Sequence, residues 1–237
     1  GACILLLLLI FYLYLYTYRR KLLDNLRHVF FFVILMAIIT SGAFLVLQYA
    51  PVGYIYLIPF AWCPVIARVF YDSRTAIFVH IITVFIVSIA VPAPYVFLFM
   101  QVLTGIVAVI SLRDMTQRAQ LAKTAAFILL AYSLLYTAVT VLTTGSITDL
   151  DYRLYFYFAI NAVLVICSYG LIFLFERTFG LLSNITLVEL TNVNSNLMLE
   201  FAEKAPGTFQ HSLQVSNLAT EAAKRIGAKV LLVRTGA

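Results

Sequence analysis

A chain of 237 residues that is 63% hydrophobic and only 11% charged lies outside the range of soluble domains, where apolar residues make up about half and charged ones about a quarter. Its formal net charge of +6 is spread over short connections between apolar runs rather than along one stripe, which excludes binding of a nucleic-acid duplex and marks a membrane protein whose loops carry topology. Cys3, Cys63 and Cys167 lie far apart inside apolar runs, so their spacing encodes neither a disulfide framework nor a thiolate zinc site.

In chain order, apolar segments run over 2–18, 29–49, 52–70, 75–91, 95–112, 124–144 and 153–175, most of them close to the ~20 residues that a helix needs to cross hydrocarbon. The first is followed by "RRK" and lacks both a basic leader and a small-residue cleavage site; it reads as a spanning helix, not a signal peptide. With no initiator Met, the chain is expected to be a fragment at that end. Pro51, Pro59 and Pro64 crowd the third segment, so a kink or a broken helix is expected there, with or without a cavity beside it.

The connections sort by charge. Arg19, Arg20, Lys21 and Arg27 follow the first segment, Arg68 and Arg74 flank the join of the third and fourth, and Arg113, Arg118 and Lys123 lie between the fifth and sixth. The alternate connections hold one basic residue, Arg153, beside Asp149 and Asp151. By the positive-inside rule the first set is cytoplasmic, and seven crossings then leave everything after Glu176 in the cytoplasm. Inside the membrane, His80, Gln101 and Asn161 need hydrogen-bond partners, and an interhelical bond is expected for each. An acidic pathway and an internal repeat are both missing, which weakens a transporter reading.

From Glu176 onward, charged and apolar residues alternate at helical spacing. "LLSNITLVELTNVN" predicts a helix leaving the last span, "LMLEFAEKA" a short helix stopped at Pro206 and Gly207, and the next helix is expected to be capped by Thr208 and to end at Gly227. On it, His211, Val215, Leu218 and Ala222 share one narrow stripe. The spacing predicts that His211 faces a core, as a metal ligand or as an ordinary hydrogen-bonded histidine.

"EFAEKAPGTFQHSLQVSNLATEAAKRIGAKVLLVRTGA" resembles the opening of the HD hydrolase domain of bacterial seven-transmembrane HD proteins, the membrane-bound cyclic-di-AMP phosphodiesterases, and "LVELTNVNSNLML" resembles that family's connector. The resemblance implies an all-α chain: a seven-helix transmembrane region over 1–176, a cytoplasmic connector helix over 177–196, and the start of the HD domain over 197–237. It implies that His211 is the first ligand of a binuclear manganese or iron centre. The adjacent His-Asp pair is expected beyond Ala237, so residues 1–237 alone are expected to be inactive. In the complete parent, cyclic-di-AMP would be opened to linear diadenylate, with the lipid bilayer and a second copy of the chain as partners, in a bacterial inner membrane. The runner-up is a seven-helix sensor or binding module without catalysis.

Overall fold

The computed structural model describes residues 1–112 and 119–237, all of whose regular structure is helical. Arg113 and Arg118, counted above among the inward basic residues, lie outside the described residues. Two compact units emerge, one reaching Leu181 and the other running from Leu182 to Ala237.

In the first unit, α1 (Ala2–Tyr18) and the single turn α2 (Arg20–Leu23) lead into α3 (Leu26–Tyr49). Asn25 caps α3 by accepting the Arg27 N–H. One face of α3, with Phe31, Phe32, Leu35, Met36 and Ile39, is buried. The other, with Phe30, Val33, Ile34 and Ile38, is exposed and equally apolar. A soluble amphipathic helix would carry polar residues there; here the solvent for that face is lipid.

The third apolar segment is broken. A 3-10 helix (Val52–Leu57) stops at Ile58, whose extended backbone (ψ 123°) is what a following proline, Pro59, enforces. The chain resumes as α4 (Trp62–Phe70). Pro64 is harmless in the first turn of α4, where N–H groups have no partner within the helix. Then come α5 (Ser73–Ser88), α6 (Pro94–Ser111), α7 (Ala119–Thr144) and α8 (Tyr152–Phe179). By length and composition five units can cross a membrane: α3, the broken segment taken as a whole, α6, α7 and α8; α1 and α5 are apolar but shorter, at 17 and 16 residues.

Contacts at one end tie the basic connections together. Phe31 of α3 packs against Phe70 of α4 and Phe175 and Phe179 of α8, with ring centroids 5.2–5.8 Å apart. Arg19 pairs with Asp72 at 2.6 Å, and Thr75 donates to the same carboxylate at 2.8 Å. Burial alone would raise the Asp72 carboxyl, but the Thr75 hydrogen bond and the Arg19 charge outweigh it and hold it below the usual carboxylate value. The start of α3 and the ends of α1, α4 and α8 therefore share one face of the bundle, and it is the basic one.

In the second unit, Ser183 caps α9 (Asn184–Leu190) and Ser195 caps α10 (Asn196–Lys204). Next come α11 (Pro206–Arg225) and α12 (Val230–Gly236). The predicted connector helix is thus shorter than expected. Glu176 lies inside α8, which continues to Phe179; Gly180 then takes a left-handed conformation (φ +64°), and Ser183 starts a new helix. As expected, α10 stops just before Pro206, with Ala205 non-helical (φ −141°); Pro206 is also the first residue of α11, and Ala205, not Thr208, is its N-cap. Proline is suited to that position because its fixed φ matches the helix and its missing N–H is not needed. The far end matches expectation: Gly227 (φ +67°) closes a Schellman motif, with Ala228 N–H on Ala223 O at 2.9 Å and Gly227 N–H on Lys224 O at 3.3 Å.

Candidate functional site

Which side of α11 carries chemistry depends on what packs against it. Phe209 meets Phe201 of α10 edge-on at 5.7 Å. Ser216 donates to the Arg234 carbonyl of α12 at 3.0 Å, and Ala223 is buried. The inner stripe is therefore Phe209, Leu213, Ser216 and Ala223. The stripe of His211, Val215, Leu218 and Ala222 is exposed, Leu218 by 74%, which corrects the expectation that His211 looks into a core. The physical reason is that α11 has two apolar stripes, and α10 and α12 cover the one carrying the larger ring.

A cleft of about 280 Å³ opens on the inner side, lined by Leu190, Phe201, Phe209, Ser212, Asn217 and Arg234. Neither His211 nor any Asp or Glu side chain is among the described residues of its wall. Among the described residues there is no group of three or more His, Cys, Asp or Glu side chains able to hold a metal ion. A metal centre needs several such donors at once, so His211 by itself does not fit one, and the described residues support no catalytic step through a metal.

The intramembrane polar residues, by contrast, are brought together. His80 Nε2 lies 2.9 Å from the Gln101 carbonyl, joining α5 to α6. Because that partner can only accept, Nε2 must carry the proton. Tyr132 of α7 donates to Gln101 Oε1. Asn161 of α8 donates from its amide nitrogen to the carbonyls of Tyr56 (3.1 Å) and Ile58 (2.9 Å) at the break made by Pro59, where Ile58 also accepts the Phe60 N–H at 2.8 Å. Nearby, Trp62 Nε1 donates to the Leu164 carbonyl at 2.7 Å. All three residues named from the sequence thus make the interhelical bonds expected of them. Tyr132 and Gly105 were not anticipated. Gly105 lies so close to the His80 ring that a Cβ there would overlap it. The signal for Tyr132 was its place in mid-helix, away from the headgroup zone where tyrosines anchor.

Fold and composition together define a polytopic all-α membrane protein that continues into a second helical unit. The chain belongs to the family described as "7TM receptor with intracellular HD hydrolase", whose model matches residues 1–183. Among curated proteins it is 33% identical over 193 residues, 76% of this chain and 26% of the relative, to a cyclic-di-AMP phosphodiesterase, PgpH, of Listeria monocytogenes. It is 27% identical over 240 residues, 93% of this chain and 33% of the relative, to the protein of the same name from Bacillus subtilis. An uncharacterized protein of Synechocystis is 49% identical over 61 residues, 26% of this chain and 8% of that protein. The chain thus spans a quarter to a third of the two PgpH relatives it matches. No solved structure matches it.

Proposed function

We propose that this chain is the membrane region and first HD-domain helices of a metal-dependent phosphodiesterase that hydrolyses cyclic-di-AMP to linear diadenylate. The observation that carries this reading is the pair of relatives named for that activity, one of them aligned over 93% of the chain. In this reading the divisions fall at 1–176, 177–196 and 197–237. His211 contributes one ligand to a manganese or iron centre whose remaining donors belong to a longer chain such as those of the relatives, and residues 1–237 alone do not hydrolyse the substrate. The exposure of His211 is compatible with this role because a ligand shared with further helices must be presented outward from α11.

In the same reading α1 and α5 also cross the membrane, for seven crossings in all, with local bilayer thinning offsetting their shortness. The basic face of the bundle lies inward in a bacterial inner membrane and residues after Glu176 are cytoplasmic. Support comes from the clustering of Arg19, Arg27 and Asp72 with the end of α8 on one face. The decisive experiment measures cyclic-di-AMP hydrolysis and bound metal in the full-length protein, wild type and His211→Ala. Loss of both turnover and metal supports the assignment; a variant that keeps its metal and its turnover removes His211 from the site.

A further inference from the structure

Helix α1 is fastened to the bundle by one side only. Its buried residues are Phe11 and Leu15, and Tyr14 stacks on Phe78 of α5 with ring centroids 4.1 Å apart. The opposite side, with Leu5, Leu9, Tyr12 and Tyr16, is exposed. Steps of three and four residues align these four side chains in one stripe along the helix. At the helical rise the stripe is about 16 Å long, close to the ~15 Å of hydrocarbon in one leaflet of a bilayer whose core is about 30 Å thick.

Positive charge closes one end of this stripe. Tyr12 stacks on Tyr16 with centroids 6.2 Å apart, the Arg20 guanidinium lies over the Tyr16 ring at 5.3 Å from its centroid, and Lys21 follows, both cations being exposed. The neighbouring Arg19 is occupied by Asp72 at 2.6 Å. Among the described residues neither Arg20 nor Lys21 is in an ion pair, and Asp24, the acidic residue of the same connection, reaches neither. An arginine resting on a ring face keeps its N–H donors for a planar, bidentate grip on phosphate. We propose that Arg20, Lys21 and the stripe from Leu5 to Tyr16 form a binding site for an anionic phospholipid, with its phosphate on the two cations and an acyl chain along the stripe. Two uncompensated cations at the headgroup level favour a net negative lipid over a zwitterionic one. The site rests on the placement of α1 in the membrane given above, and not on which side of the bilayer is cytoplasmic.

The test titrates the full-length protein in detergent with phosphatidylglycerol and reads bound lipid by native mass spectrometry. Saturable binding is expected, weakened about 30-fold when Arg20→Gln and Lys21→Gln are combined and unchanged by Arg153→Gln in an alternate connection. Equal binding of phosphatidylcholine, or no loss in the double variant, overturns the proposal. So does inorganic phosphate that competes as well as the lipid, since the site would then take a free anion. Removing loop cations can also disturb insertion, so a second measurement uses the wild type and phosphatidylglycerol carrying a diazirine in its acyl chain. Leu9 and Tyr12 are expected to be labelled more heavily than Leu134 of α7, a residue as exposed as Leu5 at 69%; equal labelling overturns the site. A phosphatidylcholine version of the probe in nanodiscs checks the premise separately: if it labels Leu134 but nothing on α1, the placement of α1 in the membrane fails.

Discussion

The two units treat their histidines in opposite ways. In the membrane unit, His80 is enclosed between helices, hydrogen-bonded to the Gln101 carbonyl and pressed against Gly105, while large apolar side chains are exposed along the outside of the spanning helices. In the second unit, His211 lies on the open side of its helix and the contacts that order α11 are made by other residues. Burial therefore does not single out the histidine to which the proposed function gives a role. The enclosed one is held by the needs of the bilayer, where every polar atom must find a partner, whereas the open one is exposed on its helix and, in the proposed reading, completes a site with further chain.

The sharpest way to break this contrast is to perturb each of the two histidines in the full-length protein. His211→Ala is expected to reduce cyclic-di-AMP turnover at least about 100-fold, the upper range for losing a group that merely supports a metal ligand, with little change in melting temperature. A loss of stability in place of activity would mean that His211 is structural after all. Gly105→Leu tests the enclosed histidine from the opposite side. It forces a side chain into the space of the imidazole and is expected to cost about 1–3 kcal/mol, read as a lowered melting temperature in detergent.

Asn161→Leu sharpens the comparison further, since it removes the side-chain donor to the carbonyls of Tyr56 and Ile58 at the proline break, of which Ile58 keeps the Phe60 N–H. A loss of about 1–2 kcal/mol is expected, combining the cost of the lost donor with the modest worth of interhelical bonds in membranes. An unchanged unfolding curve would show that the break is satisfied in another way.

The smallest effect belongs to the basic face. The Asp72 carboxyl is held below its ordinary value in the native state, so its contribution is complete above the unfolded carboxylate pKa of about 3.9 and fades as pH falls through the lower native value. Wild type should exceed Asp72→Asn in stability at neutral pH, and the two should converge once the pH drops below that window. Because the pair is partly exposed, added salt should shrink the difference. A gap that persists in acid would mean that Arg19 is not the relevant partner.

Much of this architecture was legible before any coordinates. Seven apolar runs became α1, α3, the broken segment and α5 to α8 with small shifts at their ends, because a helix in lipid needs an unbroken apolar length. Pro59 announced the break, since it dictates the backbone of the residue before it, and Gly227 announced its cap through the conformation it alone adopts easily. What stayed hidden is equally physical. On α11, Phe209, Leu213 and Ala223 form one stripe and Val215, Leu218 and Ala222 another; residue type cannot say which of two apolar stripes the neighbours will cover. Thr208 was the expected cap of that helix and Pro206 only the stop of the one before it; a rigid ring already set at helical φ starts α11 two residues earlier. Tyr132 escaped notice because a phenol in a hydrophobic helix is so often an anchor at the headgroups. A metal role for His211 is suggested only through resemblance, since one imidazole in a stripe names no chemistry by itself.

Helix α11 is pinned at both extremities, by Pro206 in its first turn and by the left-handed Gly227 after its last. Its azimuth is thereby locked: rolling the rod to hide the imidazole would tear Phe209 from Phe201 and Ser216 from Arg234. In the reading proposed above, whatever completes a coordination shell would have to come to the exposed face that carries His211, so docking of that element, and not reorientation of this one, would be the step on which assembly of the centre turns.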